Sequence, residues 1–292
     1  MMPADHPPAP TFDTLDTVIT QAVQEERIVG TVVLVAHHGQ LVYQRAAGWA
    51  DREAKKPMQP DTIFRLSSVT KPMVTAAAMR LEEEGRLPLQ APVTRWLPDF
   101  RPSAPQTAQA DQTETAEPRR PTITIEQLIT HTSGLSYSFM EDRNSPYARA
   151  KVSDGLNMDI SLAENLKRLG SVPLVYEPGK GWRYSLSIDV LGGVMEAETH
   201  QSLPDIVRET VTGPLGMKDT GFAVTDPDRL AVPYKDAPAK DSATAHTSSR
   251  NGANASGSNT HSSNGDKQTS DGSTHSSDSR HDGNHAETAP TT

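Results

Sequence analysis

A serine and a lysine three residues apart are the first side chains in this sequence that could do chemistry together. Ser68 and Lys71 lie within residues 64–72, FRLSSVTKP, and residues at i and i+3 share a helix face, about 5–6 Å apart at Cβ. A serine hydroxyl is a weak nucleophile until a base takes its proton. Because desolvation disfavours an ammonium group, a partly buried Lys71 is expected to have a lowered pKa and to take or relay that proton. The spacing indicates a serine nucleophile, although so short a pattern alone arises more often by chance.

The residues around Ser68 predict the helix that would carry it. Apolar residues recur at helical spacing from Met73 to Leu81, which gives one apolar face. Gly85 stands where a C-cap glycine would end the helix, and Pro72 fits a first helical turn, where its missing N–H costs little. Ser68 is therefore expected in the first turn of a mostly buried helix, at the positive end of the helix dipole.

Composition limits the kind of protein and its partners. The chain has 292 residues, a net charge of −9 and no cysteine, so disulfides and a thiol nucleophile are excluded. An acidic balance without a basic cluster argues against nucleic acid as a partner. No apolar run approaches membrane-spanning length, and residues 1–11 lack the basic start and apolar core of a signal peptide. We expect a cytoplasmic protein that acts on a small molecule, and its oligomeric state is left open.

The N-terminal part reads as a helix followed by a hairpin. Helical periodicity runs from Phe12 to about Glu26, and a β-branched run over residues 31–36 is followed by a second apolar stretch at 41–43. The turn is expected at His38 and Gly39. Because adjacent residues in a strand point to opposite faces, His37 and His38 are interpreted as polar residues that flank a turn rather than as metal ligands.

Two further polar residues are candidates for chemistry. Residues 124–127, TIEQ, predict a capping box, and the short helix that it opens runs into His131. His131 is a candidate base, but fixing the turn before Gly134 is the preferred interpretation. Tyr184 stands at the mouth of an apolar helix that reaches Met195. It is a candidate proton shuttle, and the alternative is a half-buried structural tyrosine.

The polarity of the sequence predicts the domain limits. Residues 1–11 are rich in Pro and Ala and are expected to be disordered, and residues 12–234 carry the periodic segments of one domain. Residues 235–292 contain no Val, Ile, Leu, Met, Phe, Trp or Tyr. Such a segment cannot bury enough apolar surface to offset its ordering entropy, so we expect a disordered tail. Residues 103–120 are expected to form a solvated surface loop.

Three motifs in order resemble the serine β-lactamase superfamily: residues 68–71 (SVTK), 131–135 (HTSGL) and 184–186 (YSL). The branch that the chain is most similar to is the class C β-lactamase-related esterases, or family VIII carboxylesterases, particularly over residues 182–192, WRYSLSIDVLG. The resemblance covers roughly residues 12–234. It implies an α/β (α+β) fold of the β-lactamase/transpeptidase-like type, with an antiparallel sheet flanked by helices and an all-α subdomain.

The resemblance also implies a role for each motif residue. Ser68 would be the acylated nucleophile, and Lys71 and Tyr184 would form the proton-transfer pair. The backbone N–H of Ser68 would be one oxyanion donor, which stabilises the charge that develops on the attacked carbonyl. No metal or cofactor is implied. The reaction would be acyl transfer to water through an acyl-enzyme.

The sequence departs from the family pattern at two places. Class C β-lactamases have Tyr-x-Asn at the second motif, whereas Leu186 stands here and cannot make the asparagine's hydrogen bond, which favours esters over β-lactams. The family's third motif, of Lys-Thr-Gly, His-x-Gly or Trp-x-Gly type, lies on a late strand, and residues 235–292 contain none. We therefore expect an incomplete domain without its C-terminal strands, and a two-stranded sheet with an open edge. Three interpretations follow: a carboxylesterase, a β-lactamase or D-alanyl peptidase, and a truncated, catalytically impaired product.

Overall fold

The computed structural model describes residues 12–105, 119–155 and 160–235. The expectations of disorder at 1–11 and 235–292, and of a surface loop at 103–120, fall wholly or mostly outside these ranges. Within them the helices are α1 Asp13–Gln24, α2 Thr70–Glu83, α3 Ile125–Ile129, α4 Pro146–Arg149, α5 Leu162–Gly170, α6 Ser187–Thr199 and α7 Leu203–Val207. The strands are β1 Gly30–His37, β2 Gln40–Asp51 and β3 Lys56–Pro57. No helix in the described ranges is long and apolar enough to cross a membrane.

The sheet is antiparallel in the order β1-β2-β3. His38 and Gly39 form the turn between β1 and β2 with φ angles of 49° and 75°. Positive φ at both central residues matches the twist of the flanking strands, so the predicted hairpin and its turn are confirmed. The expectation of two strands is wrong by one short strand. Trp49 of β2 pairs with Pro57 of β3, because the chain reverses direction within five residues. The sequence does not predict β3, since a strand of two residues is too short to show a periodic pattern.

Polar contacts hold α1 against the sheet. Tyr43 of β2 donates from its hydroxyl to Asp16 Oδ1 at 2.7 Å, and Arg45 donates to the same oxygen at 2.6 Å. A second guanidinium nitrogen of Arg45 donates to Thr20 at 2.7 Å. Both partners in the sheet point to one face because they are two residues apart in a strand. The helix is therefore fixed to the hairpin mainly through Asp16.

The helices build a core of their own. Buried apolar side chains from α2, α3, α5, α6 and α7 form one cluster that includes Leu81, Leu128 and Leu191. A Cβ on Gly193 of α6 would lie 2.3 Å from Leu166 Cδ1 of α5, so the missing side chain lets these helices approach closely. The predicted C-terminus of the Ser68 helix and the predicted N-terminus of α3 are confirmed. Gly85 follows α2 with φ 72°, and the capping box at the start of α3 is present.

The chain returns to the sheet after the helices. Ile63 donates its N–H to the carbonyl of Arg229 at 2.8 Å, and Ala231 donates to the carbonyl of Ile63 at 2.9 Å. Val232 then donates to the carbonyl of Ala50 in β2 at 2.9 Å. Residues 229–232 therefore lie between β2 and the segment before α2 and are hydrogen-bonded to both.

Candidate active site

Ser68 lies at the entrance to α2. Residues Ser67–Val69 form a 3₁₀ turn that leads directly into the helix. Ser67 has a φ of 46°, which no residue inside a right-handed helix adopts. The expectation that Ser68 occupies the first turn of the α-helix is therefore wrong by one turn, and Ser68 is exposed rather than buried. Among the described residues its backbone N–H donates no hydrogen bond, so this group is free to meet a ligand.

The structure brings Lys71 next to Ser68. Lys71 Nζ donates to Ser68 Oγ at 3.3 Å, as expected of residues three apart on one helical surface. The ammonium group also lies 4.8 Å from the centre of the Tyr184 ring. Ser68, Lys71 and Tyr184 therefore meet at one place, although Tyr184 arrives from the segment before α6.

A second tyrosine, which the sequence did not indicate, completes the surroundings of Lys71. The Tyr137 ring centre is 5.7 Å from Lys71 Nζ and 5.6 Å from the centre of the Tyr184 ring. Tyr137 comes just after the HTSGL motif, in a segment without periodicity. Nothing in its spacing links it to Lys71, because the contact depends on how distant parts of the chain pack.

The two tyrosines and Lys71 shift one another's proton affinities. Burial disfavours the ammonium form, but interactions with the hydroxyls of Tyr184 and Tyr137 outweigh it, so the pKa of Lys71 is raised. The expected lowering is therefore wrong. Burial also raises the pKa of Tyr184, yet its hydrogen bonds to Lys71 and Ser68 and the lysine's charge lower it overall. For Tyr137 burial dominates, and its pKa is raised.

Asp189 adds a carboxyl group to the same neighbourhood. It stands in the first turn of α6, where a negative charge interacts favourably with the helix dipole. Burial raises its pKa, and the positive charge of Lys71 opposes that rise without cancelling it. An acidic residue in a first helical turn is common, so no pattern in the sequence singles out Asp189.

His131 lies beside Tyr184 but not beside Ser68. Its ring centre is 5.0 Å from that of Tyr184, and no hydrogen bond within the described residues joins it to Ser68 or Lys71. It has a φ of 56° at the end of α3. Its Nδ1 faces the backbone N–H of Ser185 at 3.3 Å. The geometry favours the interpretation that His131 fixes local backbone over the one in which it is a base.

Leu186, at the position where class C β-lactamases carry an asparagine, is turned into the core. It is 1% exposed and belongs to the helical cluster. A groove of about 540 Å³ is lined in part by Phe64 and Leu66, which precede Ser68, and by Phe222. Ser68 does not line that groove.

Within the described residues, no group of three or more His, Cys, Asp or Glu could hold a metal ion.

An exposed serine at a helix entrance lies here beside a lysine and a tyrosine of lowered pKa, groups that can accept and return a proton. The chain belongs to the beta-lactamase family, whose model matches residues 15–272. The predicted family and the fold class, an antiparallel sheet with helices, are thereby confirmed.

Individual proteins with known names or solved structures are similar to this chain. Esterase EstB of Burkholderia gladioli is 52% identical over 223 residues, which cover 76% of this chain and 54% of EstB. The solved structure of EstCE1, a hydrolase with promiscuous acyltransferase activity, matches 78% of this chain and 57% of its own at 45% identity and a TM-score of 0.71. A class C beta-lactamase matches 75% of this chain and 53% of its own at 22% identity and a TM-score of 0.57, which concerns the fold alone. The chain spans about half the length of these relatives.

Proposed function

We propose that this chain carries the nucleophile and proton-transfer groups of a serine carboxylesterase that forms an acyl-enzyme on Ser68. The observation that carries the proposal is the contact between Lys71 Nζ and Ser68 Oγ at 3.3 Å, with Tyr184 beside the same ammonium group. The 52% identity to a protein named as an esterase supports the choice of ester substrates.

In the proposed acylation step Tyr184 takes the proton of Ser68. The ammonium of Lys71 stabilises the phenolate form of Tyr184, in keeping with the lowered pKa of that tyrosine and the raised pKa of the lysine. Ser68 Oγ attacks the ester carbonyl, and the backbone N–H of Ser68 donates to the oxyanion. The tetrahedral intermediate collapses, and the leaving alcohol receives the proton from Tyr184.

Deacylation repeats the sequence with water in place of the serine. Tyr184 takes a proton from a water molecule, the resulting hydroxide attacks the acyl-enzyme, and Ser68 recovers its proton as the carboxylic acid leaves. Each half-reaction returns Tyr184 and Lys71 to their starting states, so the cycle requires no metal or cofactor. Tyr184 is the general base in this scheme, and Lys71 is the cation that makes it one.

The first alternative within the same chemistry is a β-lactamase or D-alanyl peptidase. Leu186 argues against it, because a side chain that is 1% exposed in the core offers no amide to a substrate. Transfer of the acyl group to an alcohol is a second candidate, since EstCE1 is described as having promiscuous acyltransferase activity. An alcohol would then replace water in the second half-reaction. The alternative outside enzymatic function is a truncated, catalytically impaired product. The cytoplasmic location stays a prediction.

The test is covalent labelling and ester hydrolysis by the purified chain. A fluorophosphonate probe should label the wild type and the control Ser67→Ala, but not Ser68→Ala. A short-chain p-nitrophenyl ester should be hydrolysed with the same dependence, and faster than a chromogenic cephalosporin. Equal labelling of wild type and Ser68→Ala would refute the assignment of the nucleophile. Absence of both labelling and hydrolysis in the wild type would favour the impaired product.

A further inference from the structure

His131 holds the residues on both sides of Tyr184. Its backbone carbonyl accepts the N–H of Arg183 at 3.0 Å. Its ring nitrogen Nδ1 accepts the N–H of Ser185 at 3.3 Å. Tyr184 is the single residue between these two bonds, so one histidine fixes the backbone immediately before and immediately after the proposed base.

The position of His131 is itself well determined. Its N–H donates to Leu128 at the end of α3 at 3.3 Å, and its carbonyl also accepts the hydroxyl of Tyr176 at 3.2 Å. The φ of 56° is a conformation that residues other than glycine adopt uncommonly, although histidine is among those that tolerate it. A surrounding hydrogen-bond network stabilises this unfavourable conformation, which is the pattern expected of a residue that positions others.

The contacts with Ser185 favour one protonation state of the ring. A backbone N–H can only donate, so the bond from Ser185 N–H requires Nδ1 without a proton, and the neutral imidazole then carries its proton on Nε2. Ser185 Oγ also lies 3.3 Å from Nδ1, and in this tautomer its hydroxyl is a second donor to the same nitrogen. The side chain of Ser185 is also held, because its Oγ lies 2.8 Å from Ser187 Oγ. That oxygen in turn is 2.7 Å from Ser133 Oγ. These three serines are fully buried, so Ser185 has little freedom to find another partner.

We propose that His131 is the positioning residue for Tyr184, and that its neutral, Nε2-protonated imidazole is the acceptor that keeps the tyrosine hydroxyl at Ser68 and Lys71. The proposal rests on the proposed function, in which Tyr184 takes the proton of Ser68. His131 touches no reacting atom in this scheme. It acts through the backbone of Arg183 and Ser185, and through the contact of its ring with that of Tyr184.

The two hydrogen bonds that His131 accepts, from the N–H of Arg183 and from the N–H of Ser185, form a clamp on the backbone around Tyr184. Acidification should break the second of these bonds and so release the clamp. A proton added at Nδ1 would end the hydrogen bond from the N–H of Ser185, would turn the ring nitrogen into a donor toward Ser185 Oγ at 3.3 Å, and would place a second cation close to Lys71. The titratable ring in contact with the imidazole is that of Tyr184. Burial and the charge of Lys71 both lower the pKa of His131. The clamp is therefore complete at neutral pH and is lost as the pH falls below the ordinary histidine range.

Two titratable groups on neighbouring elements complete the surroundings. Burial raises the pKa of Asp189 in the first turn of α6, and the charge of Lys71 opposes that rise. Tyr176 contacts the His131 carbonyl through its hydroxyl and remains protonated throughout the acid range, because burial raises its pKa. Neither group supplies an alternative acceptor for the N–H of Ser185.

Two substitutions separate the effect of the hydrogen-bond acceptor Nδ1 from the effect of the aromatic ring of His131. His131→Asn keeps an acceptor at the position of Nδ1, tolerates positive φ and cannot titrate. His131→Phe keeps a ring and loses the acceptor. The control is His200→Phe, because His200 has a φ of 57° at the end of α6 and is exposed, so the same exchange imposes the same backbone strain away from the site.

We expect kcat for ester hydrolysis to fall about 10- to 100-fold in His131→Phe with little change in KM, as for a small displacement of a catalytic group. His131→Asn should recover most of that loss and should remove the histidine contribution to the acid limb of the pH profile. His200→Phe should match the wild type. Wild-type kcat in His131→Phe, or equal losses in the Phe and Asn variants, would overturn the proposal.

Nuclear magnetic resonance tests the clamp without any activity. In the ¹⁵N-labelled chain at pH 7.5, Nδ1 of His131 should report an unprotonated acceptor and Nε2 a protonated nitrogen. The ¹³C signals of Tyr184 should shift in His131→Phe more than in His131→Asn. A proton on Nδ1, or unshifted Tyr184 signals, would overturn the proposal. A wild type that neither hydrolyses esters nor labels at Ser68 would instead count against the proposed function, and these spectra would still decide the clamp.

Discussion

The helices and the sheet of this chain differ sharply in how far they are buried. Every residue of α6 from Ser187 to Met195 except Asp189 is buried. Within β1 and β2, both fully described, Ala50 alone is buried, and Leu34 and Leu41 are 59% and 57% exposed. The helices pack against one another from several directions, whereas the described residues cover the hairpin chiefly through α1.

The candidate chemistry follows the same division. Ser68 and Lys71 lie at the start of α2, and Tyr184 leads into α6. Tyr137 and His131 follow α3, whereas β1 and β2 contribute no side chain to this group. The attacking half of the site is therefore expected to depend on the helical core, and to be insensitive to changes in the sheet that leave the chain folded.

The largest expected effect compares tyrosines from the two regions. Tyr184→Phe should lower kcat about 10²- to 10⁴-fold, because the proposed general base is lost. Tyr43→Phe removes a similar hydroxyl, which donates to Asp16, and should leave kcat unchanged. Steady-state hydrolysis of a p-nitrophenyl ester measures both. A loss in Tyr43→Phe that matched the one in Tyr184→Phe would show that the sheet shapes the site.

The second effect compares two leucines by stability. Leu191→Ala in α6 should cost about 2–5 kcal/mol, since Leu191 is 0% exposed and the vacated volume remains as a cavity. Leu34→Ala in β1 should change the free energy of unfolding by no more than about 0.5 kcal/mol. Denaturant unfolding followed by circular dichroism measures both. Similar costs at the two positions would mean that the exposed face of β1 is covered in solution.

The third effect concerns the proton affinity of Tyr184. Lys71→Met removes the cation that lowers its pKa while leaving the burial that raises it. The pKa of Tyr184 should therefore rise, and the pH at which Ser68 becomes reactive should rise with it, because the base acts in its deprotonated form. Lys71→Arg keeps the charge and should shift the profile less. The pH dependence of fluorophosphonate labelling, with tyrosinate absorbance, measures this shift, and an unmoved profile in Lys71→Met would contradict it.

Local patterns in the sequence predict much of the framework. The turn at His38 and Gly39, the end of α2 at Gly85 and the capping box before α3 depend on a few adjacent residues, so the sequence predicts them. The contact of Lys71 with Ser68 follows from their spacing. The position of Tyr137 and the direction of the Lys71 pKa shift depend on segments far apart in the chain. Their packing leaves no local signal, so sequence reasoning missed both.

The smallest effect separates turn geometry from burial within the sheet. Gly39 has a φ of 75°, and a Cβ added there would meet nothing within 4 Å, so Gly39→Ala should cost about 1–2 kcal/mol through backbone strain alone. Gly39→Asn should cost less, because asparagine tolerates the left-handed region. Both variants should label at Ser68 as the wild type does, since the groups of the site are anchored in the helices. Thermal melts and labelling rates measure the two properties separately. A loss of labelling in Gly39→Ala at a temperature where the chain remains folded would show that the hairpin positions Ser68, and the division between the two regions would fail.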